Sequence, residues 1–230
     1  MENQPQSEAP IVEFALLGEP YPITDYIQVN HPELKRIANQ FRGNPNEIIV
    51  KVARFVAKHI KYPFDRNGKP TAHRHIRIFR FHGPLYLFDT GEVDYGWLFP
   101  IQVLKTKRGI CFDTACLATT LLRIKGLEAY TVFGALLENK SYKLKGFHAW
   151  TETVDKDGRK VVIETTAHKK PAVYLAEHAY GGKLPLVYDP VIWFNECFWR
   201  EDREKARKYV EMAMNVLTKR GEILKPKHTA

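Results

Sequence analysis

Apolar residues recur at helical spacing in several stretches of this chain and take on strand character in its middle. Ile48, Ile49, Val52, Phe55, Val56 and Ile60 keep a period near 3.6 behind the capping-box pattern Asn44-Pro-Asn-Glu47. A helix is therefore expected over 46–61, stopped by Tyr62-Pro63. A shorter helix near 31–42 follows from Asn30 as N-cap, Pro32 and Glu33 in the first turn and Gly43 past the end. The stretch 107–126 is different. Leu117, Ala118, Leu121, Leu122 and Ile124 leave its helix almost no polar face, so it is expected to be central and buried, with Gly126 at the C′ position. A last amphipathic helix runs from Trp199 or Arg200 to Arg220. Glu201, Asp202 and Glu204 stand at its start, Lys219 and Arg220 at its end, and Tyr209, Val210, Ala213, Met214 and Leu217 form its packing face.

Strand formers fill 128–137, 147–154 and 159–166, separated by turn residues at 139–145 and by Asp155-Lys-Asp-Gly158. These three are expected to form an antiparallel meander on the 111–124 helix, which makes the class α+β. Residues 73–82 alternate in places like a strand, and Leu85 to Ile101 reads as a long packed loop rich in aromatics. Residues 171–180 suggest a short helix ended by Gly181-Gly182, and 184–194, apolar with prolines, a loop or edge strand. The expected organisation is an extended arm over 1–30, one domain over 31–221 with its core at about 100–170 and its C-terminal helix at about 200–220, and a loose tail over 222–230. The arm is further expected to cover the cleft.

Composition narrows the class. The 230 residues are 44% hydrophobic and 27% charged, as in a water-soluble globular domain. No apolar run approaches the ~18 residues of a membrane span, and Met1 to Pro5 shows no secretory leader pattern. Three cysteines, an odd number, argue for a reducing compartment, so a cytoplasmic location is expected. The net charge of +9 is dispersed among 26 acidic residues, with one local basic cluster in the tail. That pattern suits a solvating or thermostability-type surface and argues against a nucleic-acid partner. His73, His75 and His82 lack a matching cysteine or carboxylate pair at ligand spacing, so no metal is expected. No cofactor is implied, and the oligomeric state is not set by the sequence.

Candidate chemistry begins at Cys111. The first turn of a helix carries free backbone N–H groups and the positive end of the macrodipole, which favour a thiolate, and Gly109 allows close backbone approach. A packed core cysteine fits the same position, and Cys116 and Cys197 read as packed thiols. A nucleophile needs a base from elsewhere in the chain. Hairpin parity offers one. Any odd-length turn between the second and third strands puts His148 and Glu164 on one face, and a turn centred on Lys156 puts them directly opposite. Glu164 would follow Val161, Val162 and Ile163, a costly place for an acid without a partner, which His148 would supply.

The order Cys111, His148, Glu164 comes with further matching positions: Gly109-x-Cys111-x-Asp113-x-Ala115, Leu122-Arg123-x-x-Gly126, Ala129-x-x-Val132-x-Gly134, His148-Ala-Trp150-x-Glu152 and Glu164-Thr-Thr166. Together these resemble the core of the transglutaminase-like cysteine enzyme superfamily. The resemblance covers about 100–170, and the 46–61 helix ending in Tyr62 is similar to the segment preceding that core. It implies a papain/transglutaminase-like α+β fold, with the nucleophile helix packed on an antiparallel β-sheet, and a Cys-His-Asp triad in which Glu164 stands where aspartate is usual. The implied chemistry is cysteine-dependent acyl transfer or hydrolysis on protein or peptide amides through a thioester at Cys111. The alternative is a catalytically silent copy of the fold that binds proteins. The Cys111 backbone N–H, Gln102 and Trp97 are candidate oxyanion donors, and Trp150, sharing a face with His148, could wall the site against water. Arg123 and Glu152 match the pattern as structural ion-pair or hydrogen-bond residues. No zinc-ribbon cysteine pairs and no complete calcium loop are present.

Overall fold

The computed structural model describes residues 11–12, 21–62, 97–166 and 172–219. The expected strand over 73–82, with its histidines, and the segment 85–96 lie outside the described residues.

A short antiparallel pair, β1 (Ile11–Val12) and β2 (Tyr21–Pro22), leads into a 3-10 turn at Ile23–Tyr26. Here the expected arm meets the core. Ile23, Tyr26 and Ile27 are buried, and the Tyr26 ring stacks on Phe99 at 4.5 Å and meets Phe112 edge-on at 5.3 Å. Gln28 joins this segment to two helices described below: its N–H donates to Thr120 Oγ1 and its Oε1 accepts from Ile101 N–H.

Helix α1 (Pro32–Ala38) is shorter than expected. Gln40 and Phe41 donate to Ile37 and Ala38 carbonyls, tightening the chain into i→i+3 turns before Gly43. Its cap is His31, whose Nδ1 accepts from Glu33 N–H, and not Asn30, whose Oδ1 accepts from Lys35. Helix α2 (Pro45–His59) is capped as the sequence suggests, Asn44 Oδ1 accepting from Glu47 N–H at 3.1 Å.

The stretch read as loop up to Ile101 turns helical at Pro100. Helix α3 (Pro100–Thr106) has proline at N1, and Gln102 Oε1 reaches back to accept from Phe99 N–H at 2.8 Å. Phe99 is not a capping side chain, so the usual start signal is missing. Helix α4 (Cys111–Ile124) is buried along almost its whole length and ends in a Schellman motif. Gly126 takes φ +77°, its N–H donates to Arg123 O, and Leu127 N–H donates to Leu122 O. Leu117, Leu121 and Leu122 are fully buried, and truncating any one to alanine should cost about 2–5 kcal/mol.

The rest is a six-stranded antiparallel sheet: β3 (Ala129–Glu138), β4 (Leu144–Val154), β5 (Lys160–Glu164), β6 (Ala172–Leu175), β7 (Leu186–Phe194) and β8 (Trp199–Glu201). The spatial order is β6-β5-β4-β3-β7-β8. The expected helix over 171–180 is half strand: β6 pairs with β5 before the short helix α5 (Ala176–Tyr180) begins. The expected loop or edge strand over 184–194 is β7, an interior strand pairing β3 on one side and β8 on the other. Its Pro190 is tolerated because it sits at a bulge, beyond the residues that pair with β8. The last helix, α6 (Arg203–Lys219), starts after β8 and not at Trp199. Asp202 Oδ1 caps it by accepting from Lys205 N–H.

Alternation gives the sheet two distinct faces. Ala149 and Thr151 of β4 face α4, where Thr151 Oγ1 donates to Ala115 O and bonds Thr119 Oγ1. His148, Trp150 and Glu152 face the other side, toward α5.

Candidate active site

Cys111 is held from three directions. Lys61 and Arg108 form a parallel bridge, with Lys61 N–H donating to Lys107 O and Gly109 N–H to Lys61 O, so the end of α2 braces the turn before α4. A Cβ on Gly109 would stand 3.0 Å from Asp113 Cβ and 3.3 Å from Val103 Cγ1, so this turn packs closely because the residue is glycine. Buried Asp113 then ties both approaching segments to the helix start, Oδ2 accepting from Ile110 N–H and Oδ1 from Leu98 N–H, each at 2.9 Å. The third tie is Thr114 Oγ1 to Thr165 Oγ1 at 2.9 Å, which fastens the first turn of α4 to the end of β5.

That last contact explains how a helix on one side of the sheet reaches a histidine facing the other. β5 pairs β4 only over Thr151–Val154, so β4 runs on through His148 without that neighbour. The first turn of α4 lies where β5 stops. Cys111 is half-buried there, near enough to His148 for its sulfur to help raise the imidazole above the ordinary histidine range.

The hairpin turn is odd-length, residues 155–159, but centred on Asp157 and not Lys156. Carried one pair further, the register places Trp150 opposite Glu164 and His148 two residues along on the same face. The expected face holds; the expected direct opposition does not. Glutamate spans the diagonal: His148 Nε2 donates to Glu164 Oε2 at 2.8 Å. The carboxylate takes three more bonds. Tyr188 O–H donates to Oε2 at 2.8 Å, Thr166 N–H to Oε1 at 2.8 Å and Thr166 Oγ1–H to Oε1 at 2.7 Å.

These contacts set the charge states. Burial alone would push the imidazole down, but the nearby Cys111 sulfur and the hydrogen-bonded Glu164 carboxylate outweigh it and hold His148 well above the ordinary histidine range. Burial alone would push Glu164 up, but His148 and the Thr166 donors hold it well below the ordinary carboxylate range. The carboxylate takes Nε2–H, so Nδ1 is the ring nitrogen not bonded to Glu164.

Trp150 is fully buried on the same face. Its ring lies 6.4 Å from the imidazole at 27° and edge-on to Tyr188 at 5.2 Å, and Nε1–H donates to Tyr180 Oη. Gln102 and Trp97 have structural neighbours of their own. The Gln102 carbonyl oxygen caps α3, and Trp97 stacks on Phe112 at 3.8 Å, in the cluster that also touches Cys111. Arg123 pairs with Glu196 in a forked contact, and Glu152 accepts from Tyr180 and Lys160. Cys116 is buried, its thiol pushed up by burial, whereas Cys197 is exposed, which corrects its reading as a packed thiol.

Three neighbours were not anticipated as site residues. Tyr188 sat in the run read as loop or edge strand. Thr166 reads as a strand end and as part of the Glu164-Thr-Thr166 match, with no role of its own. Tyr62, brought beside the thiol by the Lys61–Arg108 bridge, has its phenol raised by burial and by the nearby Cys111 and Asp113. Among the described residues no group of three or more His, Cys, Asp or Glu could hold a metal ion, and no helix is long and apolar enough to cross a membrane.

A helix with a cysteine in its first turn, packed on an antiparallel sheet that supplies a histidine and an acid, defines a papain/transglutaminase-like α+β fold. Residues 85–165 match the model of the Transglutaminase-like superfamily. UPF0252 protein MJ1282 of Methanocaldococcus jannaschii is 24% identical over 119 residues, a match covering 51% of this chain and 29% of that relative. Among solved structures, LapG of Legionella pneumophila is similar at 13% identity and a TM-score of 0.44, over 86% of this chain and 94% of that one. A candidate cysteine protease from Cytophaga hutchinsonii is similar at 15% identity and a TM-score of 0.41, over 71% of this chain and 42% of that one.

Proposed function

We propose that this chain is a cysteine-dependent hydrolase or acyltransferase acting on protein or peptide amides. The observation that carries this reading is one imidazole bonded through Nε2 to Glu164 and raised also by the nearby Cys111 sulfur, which stands in the first turn of a helix. The thiol proton passes to His148 Nδ1, giving a thiolate–imidazolium pair. Sulfur attacks the amide carbonyl carbon, and the carbonyl electrons move to oxygen, where the Cys111 backbone N–H can donate. As the intermediate collapses, the C–N bond breaks and Nδ1–H protonates the departing amine, leaving a thioester. Water or a second amine then attacks, giving its proton to Nδ1, and the thiolate leaves. Throughout, Glu164 keeps the proton on Nε2 and steadies the imidazolium.

A mixed peptide library incubated with and without a primary amine tests the reading. Cleaved peptides without amine indicate hydrolysis, amine-tagged products indicate transfer, and both should vanish in Cys111→Ala. Products that persist in Cys111→Ala, or none under either condition with the folded wild type, would favour a silent, protein-binding copy of the fold.

A further inference from the structure

The geometry points to Tyr188 as a positioning residue of this site, delivered to Glu164 by a bulge in β7. The inference rests on the triad reading above and goes beyond it by adding a fourth side chain from a different strand.

β3 and β7 pair in one register from Thr131–Phe194 to Phe133–Ile192, and in another from Gly134–Pro190 to Glu138–Leu186. Val191 is the extra residue between them. Its carbonyl accepts from Asp202 N–H at 2.8 Å, on the side of β8 and one step beyond the Ile192–Glu201 pair. One extra residue exchanges the faces of everything beyond it. Extending the first register would pair Tyr188 with Leu137 and turn it toward α4. With the bulge, Tyr188 pairs with Leu136, on the face that carries His148 and Glu164. Asp189 takes the opposite face, where it accepts from Lys205 and Tyr209 of α6. Gly134 permits the bulge: a Cβ there would stand 2.3 Å from Asp189 O and 2.8 Å from Trp150 Cη2.

Tyr188 arrives buried, with its ring fixed edge-on against Trp150 and its hydroxyl on Glu164 Oε2. Glutamate has one more rotatable bond than aspartate, so an isolated Glu164 would swing. Thr166 pins one oxygen, and Tyr188 pins the other in the position from which it accepts Nε2–H. The longer acid can then orient the imidazole from a diagonal position.

The test is a double-mutant cycle on the rate of Cys111 alkylation by iodoacetamide, located by peptide mass spectrometry. Tyr188→Phe keeps the ring and removes the donor. It should slow alkylation about tenfold at neutral pH, as expected for loss of a hydrogen bond to a charged group. In a Glu164→Gln background the same substitution should change the rate by less than about twofold, because Tyr188 acts through the carboxylate. A wild-type rate in Y188F, or the same drop in both backgrounds, overturns the inference. His148→Ala separates the two readings: if it slows alkylation while Y188F does not, only the role of Tyr188 fails; if it has no effect, the triad itself fails. Where Y188F does not fold, Tyr188→Leu read in both backgrounds decides by the same outcomes: a loss confined to the Glu164 background supports the clamp, and a wild-type rate or an equal loss in both overturns it.

Discussion

β4–β5 and β3–β7 both deliver groups to the Glu164 carboxylate, by opposite means. β4 and β5 are joined by the turn at 155–159 and pair without interruption, so His148 and Glu164 share a face through the parity of one local turn. β3 and β7 are far apart in sequence and change register at Gly134. Tyr188 reaches the same carboxylate because that ladder is broken. The His148–Glu164 pair therefore depends on turn length, and its support depends on a glycine in a neighbouring strand.

The largest effect should come from changing turn parity. Deleting Lys156 makes the turn even, so β5 must either slip in register or send Glu164 to the α4 face. Ile163 and Val161, now buried, would turn away from the core they fill. A loss on the order of 3–5 kcal/mol is expected, with no His148-dependent reactivity left at Cys111. Chemical denaturation and alkylation of the same sample check this; a near-native midpoint would refute the parity argument.

Breaking the other ladder should cost less. Gly134→Ala forces a Cβ into Asp189 O and the Trp150 ring, for about 1–3 kcal/mol. It should lower the melting temperature by several degrees and slow Cys111 alkylation by the loss of Tyr188 placement. A melting point equal to wild type would mean that the bulge does not need the glycine.

The smallest effect is in pH dependence. Glu164 is depressed in the fold, so its contribution is present above the unfolded carboxylate value near ~4.3 and fades as pH falls through the folded one. His148 is raised, so its contribution is full below the unfolded histidine value near ~6.5 and fades as pH rises through the folded one. These are two views of one interaction. The stability difference between wild type and Glu164→Gln should peak between about pH 4.3 and 6.5 and shrink on both sides. A difference that grew steadily above neutrality would show the pair to be placed otherwise.

The same contrast explains which parts were legible from sequence. α4 announces itself by its apolar run and Gly126, and α2 by Asn44 and Glu47, because caps and periodicity are local. The shared face of His148 and Glu164 is local too, but the turn centre was off by one residue, which hid the diagonal that glutamate spans. β7 was not legible. Pro185 and Pro190 resemble loop punctuation, and the bulge that accommodates Pro190 depends on Gly134, more than fifty residues earlier. Without β7, nothing pointed to Tyr188. α3 escaped because Phe99 occupies a cap position normally held by a polar side chain. Cys197 reads as a packed thiol, yet it lies exposed in the short connection between β7 and β8.

The central claim is that the environment of Cys111, and of neither other cysteine, makes its thiol a nucleophile through His148. Competitive iodoacetamide labelling of wild type and His148→Ala, with all three cysteines followed separately, tests it most directly. Cys111 should label first, Cys197 at the pace of an ordinary exposed thiol and Cys116 only on unfolding, with the Cys111 advantage falling by about 100-fold in the variant. Cys111 labelling no faster than Cys197, or at the same rate with and without His148, would contradict it.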